Sequence, residues 1–513
     1  MEALSIKEIA KAVGGTILCG NENTQITFVS TNSKNLYENS LFVPVVGERV
    51  DAHDFIKDAF LNGAVACFTS KHKEMNHEKV FIAVDDTIKA LQSLGAFYRS
   101  RFNIPVIGIT GSVGKTTTKE MVAAALETKF KVLKTEGNMN SQVGLPLMML
   151  RMMKEHEIAV IEMGMSEEGE MEKLTPISRP EVAIMTNIGV SHIAQLKTRE
   201  NIRKEKLNII NAFHENSVLY VNGNDDLLQE LYFTSKELKD NYNPFYTNTD
   251  QQITHNSSRV DIGEKTYQKF LNAEISSFGT EGFCEFRAED IKTVNGETHF
   301  TLRLGSNHDT EIVNDDLNQD TDYLQGDGEE IILKVLGIHN VYNALAALAV
   351  AKHYGIPISV AKVGLRNYEP IAMRGQIKEV NGMKIIDDSY NASPDSMKSG
   401  INVLLELEGV KRRIAVLADV KELGEISQQC HYEVGTFIAA QTVDEVVTIG
   451  EEAAYIAKGI QDKNSNIHTI SFMNNKEAIE YLQQNLKAFD GILVKGSRSM
   501  KTDEIVSAIA GTM

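Results

Sequence analysis

The sequence predicts an α/β protein of three domains. These are an N-terminal α/β domain over 1–98, a central parallel-sheet domain of P-loop type over 99–368 that carries polar insertions, and a C-terminal Rossmann-like domain over 369–513. Three observations carry this reading. The chain's 513 residues suit about three domains of roughly 150 residues each. Apolar runs alternate with helix-like segments through 103–225 and again from about Met373, the pattern of parallel βαβ units. Early in the first stretch, an apolar run from Val106 enters a glycine-rich turn, then Lys115-Thr116, then a helix-like segment.

The elements follow in order. In the first domain, 41–47 reads as a strand closed by Gly47, 54–62 as a helix, Ala64–Thr69 as a strand and 89–102 as a helix. In the second, strands are expected at 104–109, 131–134, 158–162, 182–186 and 217–221, with helices at 116–129 and 199–213 among the intervals. Residues 226–335 turn polar. Alternation at 298–304 and 330–335 predicts antiparallel strands, and 237–268 and 305–328 read as polar insertions or loops. An alanine-rich helix over 339–354 stops at Gly355 and Pro357. The last series places strands at 383–388, 413–418, 444–449 and 490–495, with Ser393 capping a helix that has Pro394 in its first turn. It lacks G-x-G-x-x-G, so no dinucleotide is implied.

Composition excludes several functions. With 70 acidic against 52 basic residues, the net charge is −18, which argues against a nucleic-acid surface. Four scattered cysteines without a CxxC pair suggest a reducing compartment and no zinc site. The N-terminus is not a signal peptide, and no apolar run reaches the roughly 18 residues needed to span a bilayer. A cytoplasmic protein is expected, without membrane insertion, and a monomer.

The segment Thr110-Gly111-Ser112-Val113-Gly114-Lys115-Thr116-Thr117 carries the chemistry. Backbone amides in such a loop face phosphate oxygens, and the helix dipole favours negative charge. Lys115 would reach the terminal phosphates and the Thr116 hydroxyl would ligate Mg²⁺. The strict G-x-x-x-x-G-K-[ST] pattern fails, because Ile109 replaces its first glycine.

Glu162 ends the next expected strand and suits a hard cation, or is a surface acid. Asn187 and His192 follow a third strand, where ligands bind in such sheets; His192 is equally readable as structural. On a helix, Ile202, Lys206, Ile209 and Phe213 share one face while Lys204 points elsewhere. A lysine in an apolar stripe must snorkel, lose its proton or be modified. Arg374 could meet a phosphate bidentately or join an interdomain ion pair. Lys495-Gly496-Ser497-Arg498 could hold a carboxylate or be surface charge.

Together these segments resemble the Mur ligase family of ATP-dependent amide-forming enzymes, along nearly the whole chain apart from the polar insertions. The resemblance implies an ATP site from Thr110–Thr117, with Asn340 and Asn343 on the adenine side and Arg374, Asp388 and Tyr390 closing over the nucleotide. It implies a magnesium site of Thr116, Glu162, His192 and a carbamylated Lys206, and catalytic roles for Lys115, Lys206, His192 and Arg374. Ser33, Gly47, Asp51 and His53, with Asn138 and Asn140, are similar to residues that meet a UDP-sugar peptide. Asp419–Gly424, His431, Asn391, Lys495, Ser497 and Arg498 resemble the branch that adds D-Ala-D-Ala. Departures exist. Asn32-Ser33-Lys34 replaces Asp-Ser-Arg, and Ser141 stands where many relatives have a second Asn. The Asp-Asn-Pro-Arg motif of the diaminopimelate-adding branch is absent; Thr448-Ile449-Gly450-Glu451 stands there.

The implied reaction joins D-Ala-D-Ala to a UDP-linked muramoyl tripeptide through an acyl phosphate, using ATP and Mg²⁺, in peptidoglycan precursor synthesis. A related Mur or folylpolyglutamate-type ligase with another amine acceptor, and a nucleotide-binding switch or transport ATPase, are the alternatives.

Overall fold

The computed structural model describes residues 1–47, 49–71, 78–240, 260–305, 328–463 and 466–511. They build three sheets of five, nine and six strands, beside one two-stranded pair. Most of 237–268 and 305–328 lies outside the described residues, as does Glu48.

The nine-stranded sheet positions the site. Its parallel part runs Glu274–Gly279, Val218–Asn222, Val182–Met185, Val106–Thr110, Ile158–Glu162 and Val132–Lys134. These strands are apolar because helices cover both faces; every residue of Val106–Thr110 and Ile158–Glu162 is buried. The strand after Val106–Thr110 in the chain, Val132–Lys134, lies beyond Ile158–Glu162, and the chain then crosses to Val182–Met185 on the other side. That reversal is a topological switch point, where ligands sit at the carboxyl ends of strands. It sets Thr110, Glu162 and Thr186 side by side. Three further strands, Phe286–Val294, Glu297–Leu304 and Glu329–Leu333, extend the sheet, the last two joined antiparallel.

The six-stranded sheet is ordered Gln376–Val380, Met383–Asp388, Asp490–Lys495, Arg412–Ala418, Glu445–Ile449 and His468–Phe472. Asp388 and Lys495 are register partners at the ends of neighbouring strands. The helix Pro394–Glu406 begins as expected, with Ser393 as cap and Pro394 in the first turn. The five-stranded sheet spans Thr16–Cys19 to Val80–Ala83 in sequence.

Four expectations are corrected. The strand placed at 41–47 is Ser40–Phe42; Pro44 has no N–H for a ladder, and the chain instead folds back so that Val46 bridges Asp51. The helix placed at 199–213 ends at Leu207 and tightens into a 3₁₀ turn over Asn208–Ala212; the Asn208 carbonyl accepts from the Thr175 hydroxyl at 3.1 Å, a partner from another element for a C=O at the helix end. The loop placed from 237 overlaps two helices, Asp226–Asp240 and Glu264–Asn272; the second buries Thr266 and Phe270, four residues apart on one face. The helix placed at 89–102 is Thr87–Arg99, which Asp86 caps. Arg99 ties it to the central layer, donating to the carbonyls of Phe102, Ile104 and Ser178, so this helix straddles residue 98. Among the described residues no helix is long and apolar enough to cross a membrane.

Candidate active site

The phosphate-type loop is locked to the strand beside it. Ser112 N–H donates to Asn187 O at 3.0 Å and Val113 N–H to Asn187 Oδ1 at 2.8 Å. The Thr186 hydroxyl donates to Val113 O at 2.5 Å. Gly111 has φ +149°, and a Cβ there would overlap the Thr186 hydroxyl. Gly114, at φ +87°, starts the helix Lys115–Leu126 without any side-chain cap. An uncapped helix leaves its first N–H groups for an anion. Gly111→Ala is therefore expected to destabilise the protein by about 2–3 kcal/mol, through strain at a glycine-only conformation and a clash. A thermal melt checks it; an unchanged midpoint would remove the constraint.

A cavity of about 580 Å³ opens over this helix end. One wall carries Ser112 to Thr117, Asn138, Asn140, Glu162, Asn340 and Asn343; the other carries Arg374, Asp388, Tyr390, Asn391 and Lys495. The Thr116 hydroxyl donates to Glu162 Oε2 at 2.8 Å, and Asn140 Nδ2 to Glu162 Oε1 at 2.7 Å. Glu162 is 3% exposed. Asn343 accepts from the Thr118 hydroxyl at 2.8 Å and donates to Asn340 Oδ1 at 3.2 Å. Across the cavity, the Arg374 guanidinium lies 4.0 Å from the centre of the Tyr390 ring. Lys495 donates to Asp388 Oδ2 at 2.5 Å and to Asn391 O at 3.0 Å.

Two lysines, Lys206 buried and Lys115 half-buried, converge on one atom. Lys115 Nζ donates to Gly111 O at 2.7 Å, and Lys206 Nζ donates to the same oxygen at 3.1 Å. Lys206 is 1% exposed. Burial first, and the Lys115 cation second, hold the Lys206 amine well below the usual lysine range. Burial lowers Lys115 too, against the attraction of Glu162. The apolar face expected around Lys206 is present, since Ile202, Ile209 and Phe213 are all buried. Lys204 instead reaches Asp261 on the surface.

The remaining residues are placed apart from the cavity. His192 Nδ1 lies 2.8 Å from Glu422 Oε2 of the C-terminal sheet's loops. Burial lowers the His192 pKa, Glu422 opposes the shift, and Lys206 and Lys115 add to it. The Ser497 hydroxyl accepts from Lys421 N–H at 2.9 Å, and Arg498 pairs with Asp503 at 3.1 Å. Ser33, Gly47, Asp51 and His53 lie near the five-stranded sheet. His53 Nδ1 sits 2.6 Å from Asp51 Oδ1, Ser70 N–H donates to His53 Nε2 at 3.2 Å, and Lys71 also reaches Asp51. His339, which opens the segment that resembles the family's adenine-side motif, also lines the cavity, and burial pushes its pKa down to about 4.

Three family models match this chain. They are the Mur ligase family catalytic domain over residues 25–134, the Mur ligase middle domain over 109–268, and the Mur ligase glutamate ligase domain over 373–498. The UDP-N-acetylmuramoyl-tripeptide–D-alanyl-D-alanine ligase of Bacillus subtilis is 35% identical over 507 residues, covering 98% of this chain and 97% of that protein. The enzyme of the same name from Treponema pallidum is 29% identical over 98% of each. Among solved structures, MurF from Acinetobacter baumannii superposes with a TM-score of 0.81 at 26% identity, covering 100% of this chain and 99% of that one. The MurF ligase of Thermotoga maritima in complex with ADP gives 0.74 at 27% identity, over 94% and 97%. Sequence likeness along its whole length, with the same architecture, places this chain in the Mur ligase family.

Proposed function

We propose that the protein is an ATP-dependent ligase that joins D-Ala-D-Ala to a UDP-N-acetylmuramoyl tripeptide. The observation that carries this is the cavity with the uncapped phosphate loop on one wall and Arg374, Tyr390, Asp388 and Lys495 of another domain facing it. The peptide's terminal carboxylate attacks the γ-phosphorus of ATP, the bond to ADP breaks, and an acyl phosphate results. The dipeptide amine then attacks the acyl carbon and phosphate leaves. Such transfers need mainly positioning and charge neutralisation. Lys115 would shift from the loop carbonyls to the terminal phosphates, and Arg374 would close from the opposite wall. His339, held neutral, adds no charge beside the Asp388–Lys495 pair.

The donors present fit Mg²⁺. Mg²⁺ is commonly held by one or two carboxylates with substrate phosphates and water, and Thr116 with Glu162 offers two adjacent hard oxygens. When bound, the ion would neutralise charge on the transferred phosphoryl group. A carbamate on Lys206 would replace a buried cation with an anionic ligand. The reading includes a UDP-sugar-peptide site near Asp51 and His53, a monomer, and a cytoplasmic location.

Phosphate release is expected only when ATP, the tripeptide precursor and D-Ala-D-Ala are all present. Turnover solely with glutamate or a diamino acid would move the assignment to a sister ligase, and release without either peptide substrate would make it an ATPase. Arg374→Ala is expected to lower kcat/KM for ATP about 10²-fold, the scale of one lost transition-state contact. Arg374→Lys should restore little, because an ammonium lacks the planar fork and the stacking on Tyr390. Steady-state kinetics with varied ATP checks both.

A further inference from the structure

The helix Pro394–Glu406 of the C-terminal domain meets the central domain at both of its ends. Asp395, Ser399, Val403 and Glu406 share one face by helical spacing. The first three line the cavity, and a Cβ on Gly189 would come within 2.4 Å of Asp395 Oδ2. At the other end, Glu406 Oε2 accepts from Gly337 N–H at 3.1 Å and from the Thr293 hydroxyl at 3.2 Å. Both donors belong to the central domain. Gly337 precedes the helix Ile338–His353, and Thr293 lies on the strand Phe286–Val294. Next to Gly337, Leu336 is 3% exposed and packs in one cluster with Ile386, Met397, Ile401 and Leu404 of the C-terminal domain. Gly337 has φ +94°, and a Cβ there would come within 2.8 Å of Val403 Cγ2, so a glycine lets the turn sit this close to the facing helix.

Glu406 does not serve its own helix. It is the last residue of Pro394–Glu406, where a carboxylate opposes the helix dipole. It meets instead the start of Ile338–His353, whose glycine cap offers no side chain and whose dipole favours an anion. Burial raises the Glu406 pKa, and the bonds from Thr293 and Gly337 oppose that rise. The helix it meets carries Asn340 and Asn343 to the cavity wall. We propose that Glu406 is a positioning residue for the nucleotide: from the C-terminal domain it fixes the Gly337 turn, and so sets Asn340 and Asn343 against the opposite wall of Arg374 and Tyr390. A ligand that touches both walls binds the joined arrangement, and its apparent affinity falls with the fraction of molecules so arranged. The proposal rests on the reading of this cavity as an ATP site.

The test uses the full chain with ADP and Mg²⁺ as the probe, its binding followed by calorimetry. Glu406→Ala is expected to weaken ADP binding about 10-fold, the scale of losing hydrogen bonds to a charged group. It should raise KM for ATP more than it lowers kcat, because saturating nucleotide rejoins the two walls. The thermal midpoint without nucleotide should not fall, since the helix end loses an unfavourable charge. Glu406→Gln keeps an acceptor oxygen and should weaken ADP less. Thr293→Val should weaken ADP in the wild-type background and have no further effect in Glu406→Ala, the non-additivity of two residues acting through one contact. Glu408→Ala removes an exposed carboxylate two positions on and should leave ADP affinity unchanged. Wild-type ADP affinity in Glu406→Ala overturns the positioning role and leaves the ATP site standing. An equal loss in Glu408→Ala overturns it as a general charge effect, and a midpoint lowered in step with affinity overturns it as a structural tie. If the wild-type protein binds no ADP, the nucleotide reading of the cavity falls and this proposal falls with it.

Discussion

Lys115→Met is expected to lower turnover about 10³-fold, the upper range for removing a preorganised charge from a reacting phosphoryl group, while leaving the carbon-dioxide-free protein, with Lys206 unmodified, as stable or more stable. The second half of that expectation separates function from packing. Lys115 and Lys206 both donate to Gly111 O, so two ammonium groups share one buried carbonyl. Each disfavours the other's charge, and burial disfavours both. Methionine matches the length of the lysine stem and brings no charge, so the folded state loses a repulsion and keeps its apolar contacts. The backbone of the loop stays held by Asn187 and Thr186, so nucleotide binding should weaken less than turnover. Steady-state phosphate release and a thermal melt, taken together, check this. A variant that keeps more than a tenth of wild-type turnover would remove Lys115 from the chemistry. A lowered midpoint would make it a structural lysine.

Much of this site is legible in the sequence because the relevant strands are buried on both faces. Runs such as Ile158–Glu162 and Gly491–Lys495 carry no polar side chain until their last residue, so the polar residue that ends each one marks a carboxyl end. The edges are less readable. Gln376–Val380 pairs only with Met383–Asp388 at the rim of its sheet, and none of its residues is buried, so no alternating pattern announces it. His468–Phe472, at the opposite rim, escapes for the same reason. Pairings between distant segments escape altogether. Lys495 reads as a free cation beside a glycine, yet it is bound to Asp388, 107 positions away, because the two strands lie in register. His192 reads as a candidate ligand at a strand end; its approach to Glu422 depends on how two domains meet, which no local spacing encodes. Lys206 was readable because the apolar stripe around it is local, even though its helix stops early.

Lys206→Ala is expected to abolish most turnover, about 10²-fold or more, and a short carboxylate such as acetate or formate should restore part of it. The physical reason begins with burial. At 1% exposure and beside the Lys115 cation, the amine is driven toward its neutral form. A neutral amine can add carbon dioxide, forming an N–C bond and releasing one proton, and the product is a carbamate anion. That anion removes the repulsion with Lys115 and would offer an oxygen ligand beside the loop carbonyl of Gly111. Alanine leaves a gap that a small carboxylate can enter, which an intact structural lysine would not predict. Exhaustive removal of carbon dioxide from the buffer should lower wild-type turnover, and bicarbonate should restore it. Lowering pH should act in the same direction, because protonating the amine reverses the addition. Stability gives an independent check on the carbon-dioxide-free protein. The unfolded chain binds this lysine's proton more tightly than the folded one, so stability rises with pH between the depressed folded value and the usual lysine range. Lys206→Ala should flatten that slope. Full activity in Lys206→Ala, or a loss that no carboxylate relieves together with an unchanged pH slope, would return Lys206 to the role of a buried structural cation.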